Sequence, residues 1–235
     1  MERLDKVLSS QNIGSRKEIA ALAKKGRICV NGIPEKNPAR KIDPETDQIT
    51  VDGTTVRYRR YVYYMLHKPA GVLSASRDSR AETVLDLLPE DLRRRGMFPA
   101  GRLDKDTEGL LLLTDDGDFA HRMLSPKYHV EKEYHARLDH PVTEKDIAAF
   151  AKGLILSDMV CLPAKVEILE AGETPLVSIV LTEGKFHQVK RMFLSRGCTV
   201  TYLTRVRIGA LELDPRLSKG QARELTEKEL DAVFQ

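Results

Sequence analysis

In the stretch Gly101-Arg102-Leu103-Asp104-Lys105-Asp106-Thr107-Glu108-Gly109-Leu110, acids and bases crowd into a glycine-bounded turn just ahead of four consecutive leucines, Leu110 to Leu113. A carboxylate presented at such a turn is a candidate nucleophile or general base. The acids at 104, 106 and 108, with Gly109 in sixth place and Asp115 in twelfth, also approximate a calcium loop. An EF-hand, however, wants Asp or Asn at the fifth position, a bidentate Glu at the twelfth and a helix on either side. The leucine run, Thr114 and the Asp116-Gly117 turn instead read as a short buried strand ending in a tight turn. Taken alone, this loop fits a catalytic carboxylate and a solvated acidic turn equally well.

Other chemistries find less support. Asp104 and Asp106 as the paired carboxylates of a glycoside hydrolase would need a sugar-binding cleft, and the chain has no tryptophan and few aromatic residues to build one. The six histidines, among them His121, His129, His135 and His187, include no His-Glu-x-x-His spacing. Cys29, Cys161 and Cys198 are far apart, odd in number and outside any metal-ligand pattern, so they are expected to be reduced and structural.

Positioning such a loop takes a core, and 235 residues with 41% hydrophobic content can form one large domain or a small and a larger one. No apolar run has the length of a membrane span, and the first residues lack the layout of a signal peptide, so a cytoplasmic location is expected. Residues 1–60 hold 13 Lys and Arg against 8 Asp and Glu, while the remainder holds 25 against 27. The net charge of +3 therefore conceals a basic amino-terminal part, which suits a polyanion and also suits a merely solvated surface.

In that part, Leu4, Val7 and Leu8 mark one face of a short helix stopped by Asn12-Ile13-Gly14. Ser15 and Glu18 form a capping box for a second helix, which buries Ile19, Leu22 and Ala23, exposes Arg16, Lys17, Lys24 and Lys25, and ends at Gly26. Short strands are expected at 27–30 and 48–51, each followed by a hairpin turn, Asn31-Gly32 and Asp52-Gly53. The Arg57-Tyr58-Arg59-Arg60-Tyr61 run marks a boundary; its alternation fits stacking on RNA bases and fits a linker entering a core strand equally well.

Beyond it come a strand at 62–66, the turn His67-Lys68-Pro69-Ala70-Gly71, and a helix around 83–88. Asp116 is placed to cap a helix running through Leu124 and ending at Ser125-Pro126. Strands are expected at 132–136, 164–169 and 176–181, a helix from 141–146 to Lys152, and a basic helix over 185–196 ended by Gly197. A tyrosine in a strand, as Tyr134 is, ordinarily packs in a core.

Three segments occur in order: Gly-Arg-Leu-Asp at 101–104, Lys-x-Tyr at 132–134, and Gly-x-x-His-Gln-Val-Lys-Arg-Met at 184–192. With Lys68-Pro69-Ala70-Gly71, they resemble the pseudouridine synthases of the small-subunit ribosomal RNA (RsuA) type. Residues 2–56, two basic-edged helices and a strand ending in Val-Asn-Gly, resemble the small RNA-binding domain named after the fourth protein of the small ribosomal subunit. The resemblance implies an α+β fold: a small helix-helix-strand RNA-binding domain at 1–57, a linker at 58–61, and a catalytic domain at 62–235 built on a mixed, largely antiparallel sheet.

It further implies that Asp104 is the catalytic carboxylate, that Tyr134 stacks on the uracil, and that Lys190 is the cation beside Asp104. Arg102 and Arg191 would bind substrate, with Arg102 filling the space left by a flipped-out uridine. Arg3, Lys6, Ser15, Arg16, Lys17, Lys24, Lys25 and Arg27 would dock RNA, and neither cofactor nor metal is needed. The implied partner is ribosomal RNA, as a small-subunit assembly intermediate, met by a monomer. The form of the third motif and the Ser125-Pro126 pair favour the small-subunit branch over enzymes of the large subunit. The alternative of another class is a non-catalytic RNA-binding or ribosome-assembly protein.

Overall fold

The computed structural model describes all residues from Met1 to Gln235 and divides them into two compact units, Met1–Val62 with Asp91–Met97, and Tyr63–Glu90 with Phe98–Gln235. The chain therefore crosses between units three times. The sequence boundary near residue 60 gives no hint that Asp91–Met97 returns to the smaller unit.

The smaller unit begins with β1 (Glu2–Arg3), α1 (Leu4–Ser10) and α2 (Arg16–Lys24). Leu4, Val7 and Leu8 on α1 pack against Ile19 and Ala23 on α2, and the expected Ser15–Glu18 capping box is present. Five short strands follow: β2 (Ile28–Val30), β3 (Ile33–Pro34), β4 (Lys41–Ile42), β5 (Ile49–Val51) and β6 (Thr54–Thr55). Four of them form an antiparallel sheet in the order β3-β2-β5-β6, while β1 pairs with β4. Asn31-Gly32 and Asp52-Gly53 make the two-residue turns with both residues at positive φ, as Asn-Gly and Asp-Gly pairs favour. Ile28, Val30, Ile42 and Ile49 close the core beneath the helices.

The larger unit is organised by one nine-stranded sheet. Its strands are β7 (Tyr63–Lys68), β8 (Phe98–Ala100), β9 (Glu108–Thr114), β10 (Lys132–Leu138), β11 (Lys165–Glu170), β12 (Leu176–Leu181), β13 (Val200–Ile208), β14 (Leu211–Glu212) and β15 (Ala222–Glu224). The main path runs β11-β12-β10-β13-β9-β7-β15, with β14 beside β13 and β8 beside β9. Every pairing is antiparallel except β9 with β13. The fold is thus α+β with a mixed, largely antiparallel sheet, as the resemblance implied.

β9 carries the four leucines and is buried at all seven positions, consistent with a strand covered on both faces. One of its edges pairs with β7 along six residues. The other edge is divided: Glu108 and Gly109 pair with β13, and Leu112 to Thr114 pair with β8. Gly109 takes φ +102°, and a Cβ there would lie 2.7 Å from the Arg205 backbone nitrogen. Its presence lets β13 approach the start of β9, a requirement unrelated to calcium loops.

Helices cover the sheet. Asp116 caps α3 (Gly117–Leu124) by accepting from the Asp118 and Phe119 amides at 3.0 and 3.1 Å. Phe119, Met123, Met65, Leu110, Leu112 and Ile208 form one core, with α6 (Glu227–Ala232) leading into its Val233. α4 (Glu144–Lys152) and α5 (Gln188–Leu194) meet through Phe150 and Phe193, whose rings lie 4.8 Å apart.

Two local expectations need correction. Residues 84–87 are turns, Thr83 bridges to Leu73, and no helix forms: Thr83 donates to the Asp86 carboxylate as a helix start would, but Pro89 disfavours helical geometry at Leu88 and leaves too little room. The basic helix is also shorter than 185–196. His187 takes φ +49° and the Lys185 amide donates to Gln188 Oε1, so helical geometry begins only at Gln188.

Candidate active site

Asp104 lies on a loop whose backbone is anchored almost residue by residue. Ser74 Oγ accepts from the Leu103 amide at 3.1 Å and donates to its carbonyl at 2.9 Å. The Gly71 amide donates to the Lys105 carbonyl, and the Thr107 amide to that of Asp104. At the end of β7, the fully buried Lys68 ammonium donates to the carbonyls of Pro69, Lys105 and Thr107 at 2.9, 3.2 and 2.8 Å. Three hydrogens thus meet three acceptors. Burial lowers the Lys68 pKa to about 8, which still leaves it protonated at neutral pH.

The carboxylate of Asp104, about one quarter exposed, faces two groups delivered by the third motif. Lys190 Nζ on α5 is 3.4 Å from Asp104 Oδ2, and His187 Nε2 is 3.6 Å from Oδ1. Lys190 is nearer still to Asp106, at 2.6 Å, so one ammonium is shared between two carboxylates. Its hydrogen bond holds the Asp106 pKa below the usual value, against the opposing effect of burial. Glu108, the third acid, faces elsewhere: it accepts from Tyr202 Oη at 2.7 Å and pairs with Lys219 at 2.6 Å.

These groups border a cavity of about 810 Å³, lined among others by Arg102, Asp104, Lys132, Tyr134, His187, Lys190 and Arg205. Its size suits a nucleoside with room for flanking chain. Tyr134, nearly buried on β10, receives a long 3.5 Å hydrogen bond from Arg205 Nη1, and the Arg205 guanidinium carbon lies 5.9 Å from its ring centre. Arg205 Nε donates to the Leu110 carbonyl at 2.8 Å, in the gap where the edge of β9 has neither β13 nor β8 as partner. Lys132 donates to the Val130 carbonyl at 2.7 Å, and burial together with nearby Arg205 lowers its pKa to about 8.

Of the residues singled out in the sequence, Asp104, Tyr134, Lys190 and Arg102 converge on this cavity, with Arg102 exposed. Arg191 does not line it; its guanidinium is ion-paired with Asp158. On the smaller unit, Arg16, Lys17, Lys24 and Lys25 are exposed, whereas Arg3, Lys6 and Arg27 are exposed but paired with Asp5, Glu2 and Asp52. Ser15 is occupied in capping α2. Lys68, Lys132, His187 and Arg205 are not among the residues for which the sequence suggests a role. The first three lie inside quoted motifs, which was a usable signal; Arg205 sits in an ordinary-looking strand.

The profile of the RNA pseudouridylate synthase family matches residues 62–195, and that of the S4 domain matches residues 2–49. The chain is 48% identical to an uncharacterized RNA pseudouridine synthase of Bacillus subtilis, YtzG, over 97% of this chain and 96% of the relative. It is 41% identical to ribosomal small subunit pseudouridine synthase A of Salmonella typhimurium, over 98% and 99%. A solved pseudouridylate synthase superimposes with a TM-score of 0.68 at 35% identity, covering 99% of this chain and all of that one. Motif order, sheet topology and full-length relatives agree: the chain belongs to the RNA pseudouridylate synthase family and carries an S4 domain.

Proposed function

We propose that this protein isomerises one uridine of small-subunit ribosomal RNA to pseudouridine, with Asp104 as the catalytic carboxylate. The observation that carries the assignment is Asp104 itself, set in a cavity on an immobilised loop, 3.4 Å from the Lys190 ammonium, with Tyr134 on the wall. The small-subunit target is supported by the 41% identity to the Salmonella enzyme named for that subunit, which is matched along 99% of its length.

In this reaction the bond between ribose C1′ and uracil N1 breaks, the base turns while bound, and C1′ joins C5. The C5 proton is lost and N1 gains one, so nothing is oxidised and no cofactor is required. Asp104 assists at the ribose or the base as nucleophile or proton acceptor. The Lys190 ammonium, shared with Asp106, offsets the loss of hydration that the carboxylate undergoes when RNA closes the pocket. Tyr134 packs on the uracil face, and Arg205 holds that ring through its hydroxyl. The uridine reaches the cavity only out of its stack, and Arg102, exposed at the rim, takes the vacated place. Arg191 supports substrate binding only if RNA displaces Asp158 from it.

The S4 unit docks RNA through the basic faces of α1 and α2, positioning the enzyme without reading bases. We place the protein in the cytoplasm as a monomer acting on an assembly intermediate, since a uridine must be flipped before ribosomal proteins cover it. Carbodiimide mapping of pseudouridine in cells lacking the protein is the test. One small-subunit site should disappear and return with wild type but not with Asp104→Asn; an unchanged map would refute the assignment.

A further inference from the structure

We infer that Asp91–Met97 and residues 57–61 together form a second RNA-phosphate surface on the smaller unit, separate from its two helices. The inference rests on the proposed RNA substrate and extends it. Residues 57–61 contribute Arg57, Arg59 and Arg60, and Asp91–Met97 contributes Arg93, Arg94 and Arg95, six arginines against the single carboxylate of Asp91.

Two neighbouring amide side chains at the end of α1 bring these distant segments to one place. Gln11 Nε2 donates to the Arg59 carbonyl at 3.1 Å, and Gln11 Oε1 accepts from the Arg59 amide at 3.0 Å. Asn12 does the same for the other segment: Nδ2 donates to the Arg93 carbonyl, and Oδ1 accepts from the Arg95 amide at 3.3 Å. Arg94 Nη2 then joins the segments directly, donating to the Arg60 carbonyl at 3.2 Å. The turn that holds both leads into Arg16 and Lys17, the start of the basic face of α2.

Arg57, Arg60, Arg93 and Arg95 are exposed, and the Arg60 guanidinium carbon lies 5.5 Å from the Tyr61 ring centre. Gathering like charges opposes folding, and the fold nevertheless holds both segments, through the amide side chains of Gln11 and Asn12 and through Arg94. A concentration of guanidinium groups beside a helical RNA-docking face is matched by the regularly spaced phosphates of RNA, for which arginine offers a planar fork of donors. Counterions released from those phosphates would make the surface salt-sensitive.

The test is the salt dependence of binding to a transcript of small-subunit ribosomal RNA, with pseudouridine formation measured on the same samples. In the full-length protein, Arg60→Gln/Arg93→Gln/Arg95→Gln is expected to lower the slope of log K against log salt by about 2, at roughly 0.7–0.9 for each phosphate no longer neutralised. Affinity near 150 mM salt should fall about 10- to 100-fold, with kcat at saturating RNA unchanged. Asn12→Ala, which detaches the 93–95 segment and removes no charge, should also lower the slope. Lys145→Gln/Lys152→Gln/Lys228→Gln removes three exposed charges from the larger unit and serves as the control for bulk charge.

An unchanged slope in the arginine triple variant, or a decrease equal to that of the lysine control, overturns the inference, and melting curves identify any variant that has simply unfolded. In that event Arg60→Lys/Arg93→Lys/Arg95→Lys, which keeps the charge, decides: a wild-type slope supports the surface and a reduced one overturns it. If wild type binds with the expected slope pattern but forms no pseudouridine, the isomerase assignment falls and the surface stands.

Discussion

Replacing Lys68 by Met should make the stability gap between variant and wild type depend on pH, and its size follows from the burial of that ammonium. The folded pKa is about 8 against 10.5 for a free lysine, with burial as the main cause. Between these values the unfolded chain binds the proton and the folded chain does not, so unfolding free energy rises with pH in that window. Below pH 8 both states are protonated and the full cost of burying the charge is present. Two and a half pH units correspond to about 3 kcal/mol at most, a net figure that already contains the opposing pull of Asp106, Glu108 and Asp104, and allowing for screening by solvent leaves roughly 2–3 kcal/mol. Against this, the variant strands three carbonyls at about 1–3 kcal/mol each, so it is less stable than wild type even at pH 7.

The diagnostic quantity is therefore the change in the gap, which should widen by roughly 2–3 kcal/mol between pH 7.5 and pH 10.5. Urea unfolding followed by circular dichroism is the suitable assay, since the chain has no tryptophan. Lysines common to both proteins, Lys132 included, cancel in the difference. A gap that stays constant across this range would show that the carbonyls of Pro69, Lys105 and Thr107 compensate the ammonium fully, and the argument from burial would fail.

Further outcomes can be stated more briefly. Asp104→Asn should reduce pseudouridine formation at least about 1000-fold while leaving RNA affinity within about twofold, as expected for loss of a group acting in the chemical step; single-turnover assays and filter binding measure the two. Lys190→Met leaves Asp104 and Asp106 without their shared cation and should cut turnover more than about tenfold, with Lys190→Arg restoring part of it; equal loss in both variants would count against a charge role. Gly109→Ala should destabilise the larger unit by about 3–5 kcal/mol, combining positive-φ strain with overlap against the β13 backbone, and chemical denaturation would report it.

Much of this architecture was legible because local signals carried it. The Ser15–Glu18 capping box, the Asn-Gly and Asp-Gly turns and the Asp116 cap act within a few residues of their own position, and all appear where their chemistry places them. The leucine run announced a buried strand, though not that its free edge would be divided between β13 and β8. Asp104, Tyr134 and Lys190, which line the cavity, lie in motifs, while Arg205 lies in none, because what brings it there is a strand pairing across almost one hundred residues. The failed helix at 83–88 shows the limit of a start signal: a cap cannot sustain a helix whose next turn meets proline.

The return of Asp91–Met97 to the smaller unit has a consequence for synthesis. Its bond from Asn12 to the Arg93 backbone spans 81 residues, so residues 1–62 must wait for a segment made later. At about 5–20 residues per second, the 35 residues after Val62 take roughly 2–7 s, during which the side chains of Gln11 and Asn12 can hold only one of their two segments. Strand β7 and the residues after it must be threaded out and back before the smaller unit is complete. The smaller unit is thus finished only after the opening strand of the larger one has been made.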